Sequence, residues 1–88
     1  MKRNIAIALR EDTGLRNEVI KKSQSLDLED LFVVEYDDRI TVEVVPVNTK
    51  AYYRAYCKKQ GINECRITGQ AITESELDFI IECFILTD

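Results

Sequence analysis

Histidine and tryptophan are absent from the 88 residues, proline occurs once, and glycine and cysteine occur three times each. Without histidine there is no imidazole general base, no Ser-His or Cys-His nucleophile pair and no neutral nitrogen ligand for a metal. Cys57, Cys65 and Cys83 lie far apart with no C-x-x-C pair, whereas a closed zinc site wants four ligands in paired spacing. An odd number of cysteines within apolar or helical stretches fits a reducing compartment, where thiols act as small hydrophobes. Gly14, Gly61 and Gly69 are isolated, so no glycine-rich phosphate loop forms, and no G-x-S-x-G motif occurs. These absences lead to the expectation of a protein that is not an enzyme and has no cofactor and no metal.

Long hydrophobic runs are missing too. The stretch Ile5-Ala6-Ile7-Ala8-Leu9 is too short for a signal-peptide core or a membrane span, which gives the expectation of a cytoplasmic protein with no membrane association. What is present is the composition of one small domain, residues 1–88, with 45% hydrophobic and 32% charged residues.

Asn4–Arg10 alternates branched and small apolar residues, as a strand covered on one face would. Asp12 or Thr13 can cap a helix over about 14–25 that gathers Leu15, Val19 and Leu26. Leu31–Val47 reads as a hairpin around Asp37-Asp38. A three-residue loop puts Tyr36 opposite Ile40, Val34 opposite Val42 and Phe32 opposite Val44, collecting apolar side chains on one face. A two-residue loop mixes polar and apolar groups, so the pattern favours the longer loop.

Asn48 or Thr49 caps a second helix over 49–60, closed by Gly61 with Ile62 placed for a Schellman contact. Residues 65–68 alternate as a fourth strand. Thr73-Glu74-Ser75-Glu76 forms a capping box ahead of Leu77, Ile80, Ile81 and Phe84 at helical spacing, with a strand over 79–86 as the alternative. The resulting order predicts an α+β domain of β-α-β-β-α-β (ferredoxin-like) type: an antiparallel sheet with helices on one face, plus a C-terminal helix.

Charge is segregated. Residues 44–63 carry four basic residues, Lys50, Arg54, Lys58 and Lys59, and no acid. The segments on either side of this island, 25–43 and 64–88, are strongly acidic, and the whole chain has a net charge of −4. Lys50, Arg54 and Lys58 form a basic stripe, and Glu74, Asp78 and Glu82 an acidic stripe of the same spacing. The two stripes could pair within a chain or across a homodimer. Tyr52, Tyr53 and Tyr56 fall away from the basic stripe, towards the expected sheet, which argues against a base-stacking platform.

Phe79 and Cys83 form a second apolar flank on the last helix, which implies another contact: within the chain, in a homodimer through that helix, or in the groove of a partner. Glu35, Asp37, Asp38 and Glu43 cluster around the hairpin and could meet a basic partner. Short, acidic and without a catalytic constellation, the chain resembles in style the small inhibitors, immunity proteins, antitoxins and phage accessory proteins. The sequence thus favours a protein partner over nucleic acid bound by helix 49–60, or over a small ligand held between helix and sheet.

Overall fold

In the computed structural model, residues 2–67 and 71–87 are described. The first element, α1 (Lys2–Glu11), is a helix where alternation predicted a strand. Its buried residues are Ile5, Ala6 and Leu9, whereas Ile7 is exposed. The run is short enough to satisfy periods of both 2 and 3.6. Alanine and the flanking Lys, Arg and Glu residues are good helix formers, and they favour the second period.

A sharp corner leads to α2 (Thr13–Gln24), capped by Asp12, whose Oδ1 accepts from Leu15 N at 3.0 Å. Leu15, Val19 and Ser23 recur every fourth residue and are buried. Arg16, on the adjoining flank, donates to the Leu9 carbonyl at 3.1 Å and pairs with Asp78 at 2.8 Å and Glu74 at 3.5 Å.

The sheet comprises β1 (Glu29–Glu35), β2 (Ile40–Pro46) and β3 (Asn63–Ile67), in the order β2-β1-β3 and antiparallel throughout. The hairpin uses a two-residue turn, Asp37-Asp38, with Tyr36 N donating to Arg39 O at 2.8 Å. The three-residue loop is therefore corrected: Glu35 opposes Ile40, Val33 opposes Val42 and Phe32 opposes Glu43. The expectation assumed one apolar face and one solvated face. In fact residues 30–34 of β1 are buried without interruption, because both faces of the sheet are covered.

One face holds the larger core, in which Leu31, Val33, Val42, Cys65 and Ile67 meet Ile5, Leu9, Val19 and Ile81. The other holds a smaller one, Phe32, Val34 and Val45 beneath Tyr53 and Ile62. Tyr53 belongs to α3 (Lys50–Gln60), which follows a 3-10 turn at Val47–Thr49. The Schellman end is present: Gly61 adopts φ +69, Ile62 N donates to Cys57 O and Gly61 N to Lys58 O.

The last helix, α4 (Glu74–Thr87), begins at the capping box, where Thr73 Oγ1 accepts from Glu76 N at 3.2 Å and donates to Glu76 Oε1 at 3.1 Å. The strand alternative over 79–86 is thereby replaced by helix. Thr68 and Gly69, the expected end of a fourth strand, lie outside the described residues, and so does the side chain of Phe84.

The architecture is thus a small α+β fold with a three-stranded antiparallel sheet and four helices among the described residues. The ferredoxin-like order is corrected on two counts: the first strand is a helix, and the helices lie on both faces. Ser23 fastens the crossover into α4, because its carbonyl accepts from Ala71 N at 3.3 Å and its Oγ from Ile72 N at 3.1 Å. Ser23→Ala strands the Ile72 N–H in a buried site and should cost about 1–3 kcal/mol, read as a lower urea midpoint at unchanged slope.

Candidate functional site

Two depressions meet at the hairpin end of the sheet. The larger, about 610 Å³, is lined by Asn4, Glu35, Tyr36, Asp37, Tyr56 and Asn63 among others. The smaller, about 370 Å³, includes Asp12, Leu15, Glu35, Tyr36, Asp37 and Arg39. Both share Glu35, Tyr36 and Asp37, which therefore form a ridge between them. Asp37 and Asp38 are exposed in the turn, and Arg39 reaches Asp38 at 2.9 Å. Glu35 is half-buried and accepts from Asn63 Nδ2 at 3.1 Å.

The fourth carboxylate of the predicted cluster, Glu43, does not join them. With the two-residue turn, Glu43 shares the face of Phe32 and Val34, whereas Glu35 shares that of Leu31 and Val33. Glu43 lies under α3, where Tyr36 Oη donates to it at 2.7 Å and Thr41 Oγ1 at 3.0 Å. The buried Tyr53 hydroxyl faces the same carboxylate without the alignment of a full hydrogen bond. Burial pushes the Glu43 carboxyl upward, but the Tyr36, Tyr53 and Thr41 hydroxyls and the Arg39 charge outweigh it, and the net shift is downward.

The donors respond in the opposite sense. Tyr36 is pushed up to about 12, first by its hydrogen bond to Glu43 and then by burial. Tyr53 is raised by burial and then by Glu43. Burial also raises the Cys57 thiol, against a weaker opposing contribution from Tyr53, so a thiolate is disfavoured there at neutral pH. This cluster holds Tyr36 firmly, and Arg39 lies over its ring at 4.5 Å from the centroid.

The two charged stripes lie on opposite sides of the sheet, so the intrachain pairing considered for them does not occur. Lys50 pairs with Asp30 at 3.1 Å and Arg54 with Glu64 at 3.1 Å, while Lys58 and Lys59 are exposed with no ion pair among the described residues. On α4, Glu74 and Asp78 face Arg16, and Glu82 faces Arg10 at 3.6 Å. Asp30, one of the acids of the 25–43 segment that the sequence would turn towards a partner, is instead buried and bridges Lys50 to Arg66.

The expectation that the tyrosines face the sheet holds for Tyr53 alone, whose ring centroid lies 5.3 Å from that of Phe32. Tyr52 is 79% exposed and Tyr56 50%, because α3 covers only a narrow sheet and one flank of it stays outside. Phe79 is 70% exposed and Cys83 half-buried. No helix among the described residues is long and apolar enough to cross a membrane, and no three Cys, Asp or Glu side chains among them gather as metal ligands. Comparison with known protein families, curated proteins and solved structures finds no match.

The half-buried Glu43 cluster has a pH signature. A lowered Glu43 contributes stability that is present above the ordinary carboxylate range and lost as pH falls through the folded value. Tyr36 contributes stability that is present below its ordinary 10.0 and lost as pH rises towards about 12. Glu43→Gln should lower stability at neutral pH by about 1 kcal/mol. It should also flatten the acid limb of a urea-midpoint profile and return Tyr36 towards its ordinary titration, read by phenolate absorbance.

Proposed function

We propose that the protein is a non-catalytic protein-binding module of the inhibitor, antidote or phage-accessory type, acting in the cytoplasm, and that it receives a basic segment of its partner at the hairpin end. The observation that carries this reading is the ridge: Glu35, Tyr36 and Asp37 stand between two depressions, with Asp38 beside them. Among the described residues Arg39 is the one base that lines either depression, so cationic side chains of a partner would meet carboxylates on both sides of Tyr36. The Glu43 cluster holds the Tyr36 ring in place, so little order has to be gained on binding.

The test uses a fluorescein-labelled peptide rich in Arg and Lys, with a Glu-rich peptide as control. Binding of the basic peptide should fall steeply with added salt and shift backbone amides of residues 35–39. Asp37→Lys with Asp38→Lys should weaken it by roughly tenfold, chiefly through the association rate. Binding indifferent to both salt and charge reversal rejects the reading.

A second reading rests on the exposed rings of Tyr52 and Tyr56, one helical turn apart, beside Lys59. Together these offer a small stacking and phosphate-contacting face for a single-stranded nucleic acid. Filter binding of single-stranded RNA and DNA at low salt should then detect a complex, and Tyr52→Ala with Tyr56→Ala should abolish it. No retention at any protein concentration removes this second reading.

A further inference from the structure

The two edges of the sheet are finished differently. On β2, Pro46 closes the strand, and Lys22 on α2 donates from Nζ to the Val42 carbonyl at 3.2 Å, occupying the outer edge. The other edge, β3, contains neither proline nor lysine, and among the described residues no strand lies beyond it. A shallow groove of about 380 Å³, lined by Arg54, Lys58, Ile62, Asn63 and Glu64, lies beside this strand on the α3 side.

We propose that β3 pairs antiparallel with β3 of a second copy of this chain, about a two-fold axis through Cys65, and so joins the two sheets into one. The register follows from faces and charge. A two-fold axis perpendicular to the sheet keeps α3 of both copies on the same side, so each residue must oppose one of its own parity and the axis must pass through a residue. An axis at Glu64 sets that carboxylate against itself, and an axis at Arg66 does the same for the guanidinium; both are repulsive. The axis at Cys65 pairs the full length of β3, Asn63–Ile67, and places Glu64 opposite Arg66 of the partner subunit twice.

Both charged side chains are on the α3 face, opposite Val34 and Phe32 of β1. Within the chain Arg54 engages Glu64 Oε1 at 3.1 Å, and Glu64 Oε2 is buried with no hydrogen-bond donor among the described residues. The Arg66 side chain is 37% exposed, with Asp30 holding it at 2.9 Å. The opposite charges that would repel many foreign strands are self-complementary in this one arrangement.

Sedimentation equilibrium of the full chain, from about 10 µM to about 1 mM, should show a dimer that weakens with added salt. Glu64→Arg and Arg66→Glu should each be monomeric alone, since each sets like charges opposite one another. An equimolar mixture of the two should recover the dimer, because unlike charges again face each other at both positions. Recovery on mixing requires that both variants fold, and far-UV circular dichroism checks each separately. In the wild type, amide protection that rises with concentration should be confined to residues 63–67. A wild type that stays monomeric to the highest concentration, with those amides unchanged, overturns the proposal and makes Glu64 and Arg66 edge guards. So does a dimer that survives both charge variants, or one that Phe79→Ser dissolves instead.

Discussion

Everything else in the structure accommodates one strand, β1, whose residues 30–34 are all buried. A central strand with both faces covered exposes no apolar side chain, but it must be roofed twice. In a chain of this size the roofing is unequal: α1, α2 and α4 make the thick core, and α3 alone closes the other side. The thin side cannot be sealed by hydrocarbon only. Phe32, Val34 and Val45 form a small apolar patch, and polar groups tied in pairs fill the rest.

Those pairs explain why the α3 face holds so much chemistry without being a reaction centre in the proposed reading. Asp30 is buried at one end and balanced by Lys50 and Arg66, Glu64 is matched by Arg54, and Glu43 by hydroxyls. A buried carboxylate without such partners would be expensive, so each one fixes the position of what surrounds it. Glu43 fixes Tyr36, and through Tyr36 the ridge at the hairpin end. In the proposed reading, binding surface and packing are therefore coupled: the outward face of the turn is held by an inward-facing acid.

Legibility in the sequence followed the range of the interaction. The capping box at Thr73, the cap at Asp12 and the Gly61-Ile62 helix end were all readable, because caps are settled by hydrogen bonds within a few residues. The hairpin location was readable for the same reason, through Asp37-Asp38. Its register was not, since alternation fixes register only when one face is buried and the other wet. The site was legible in part. Asp37 and Asp38 are where a turn has to place them, but Glu43 joins their group only in a register the structure does not have. Helix phase turns Tyr52 and Tyr56 towards the sheet, but phase alone does not say how much of a helix its sheet can cover.

From the sequence by itself came three of the four described helices, the side-chain caps of α2 and α4 and the Gly61 end of α3, where Thr49 bonds the Pro46 carbonyl rather than capping the helix, together with the hairpin, the segregation of charge and the lack of histidine. Those properties are local or compositional, and no folded partner is needed to define them. Tertiary structure alone decided that residues 2–11 are helical, that α3 lies across the sheet from the other helices, and which acids remain outside. Each of these depends on a competition between long-range burials. A short apolar segment takes the conformation its neighbours can cover, and a carboxylate is exposed or enclosed according to the strand register that the two cores together select.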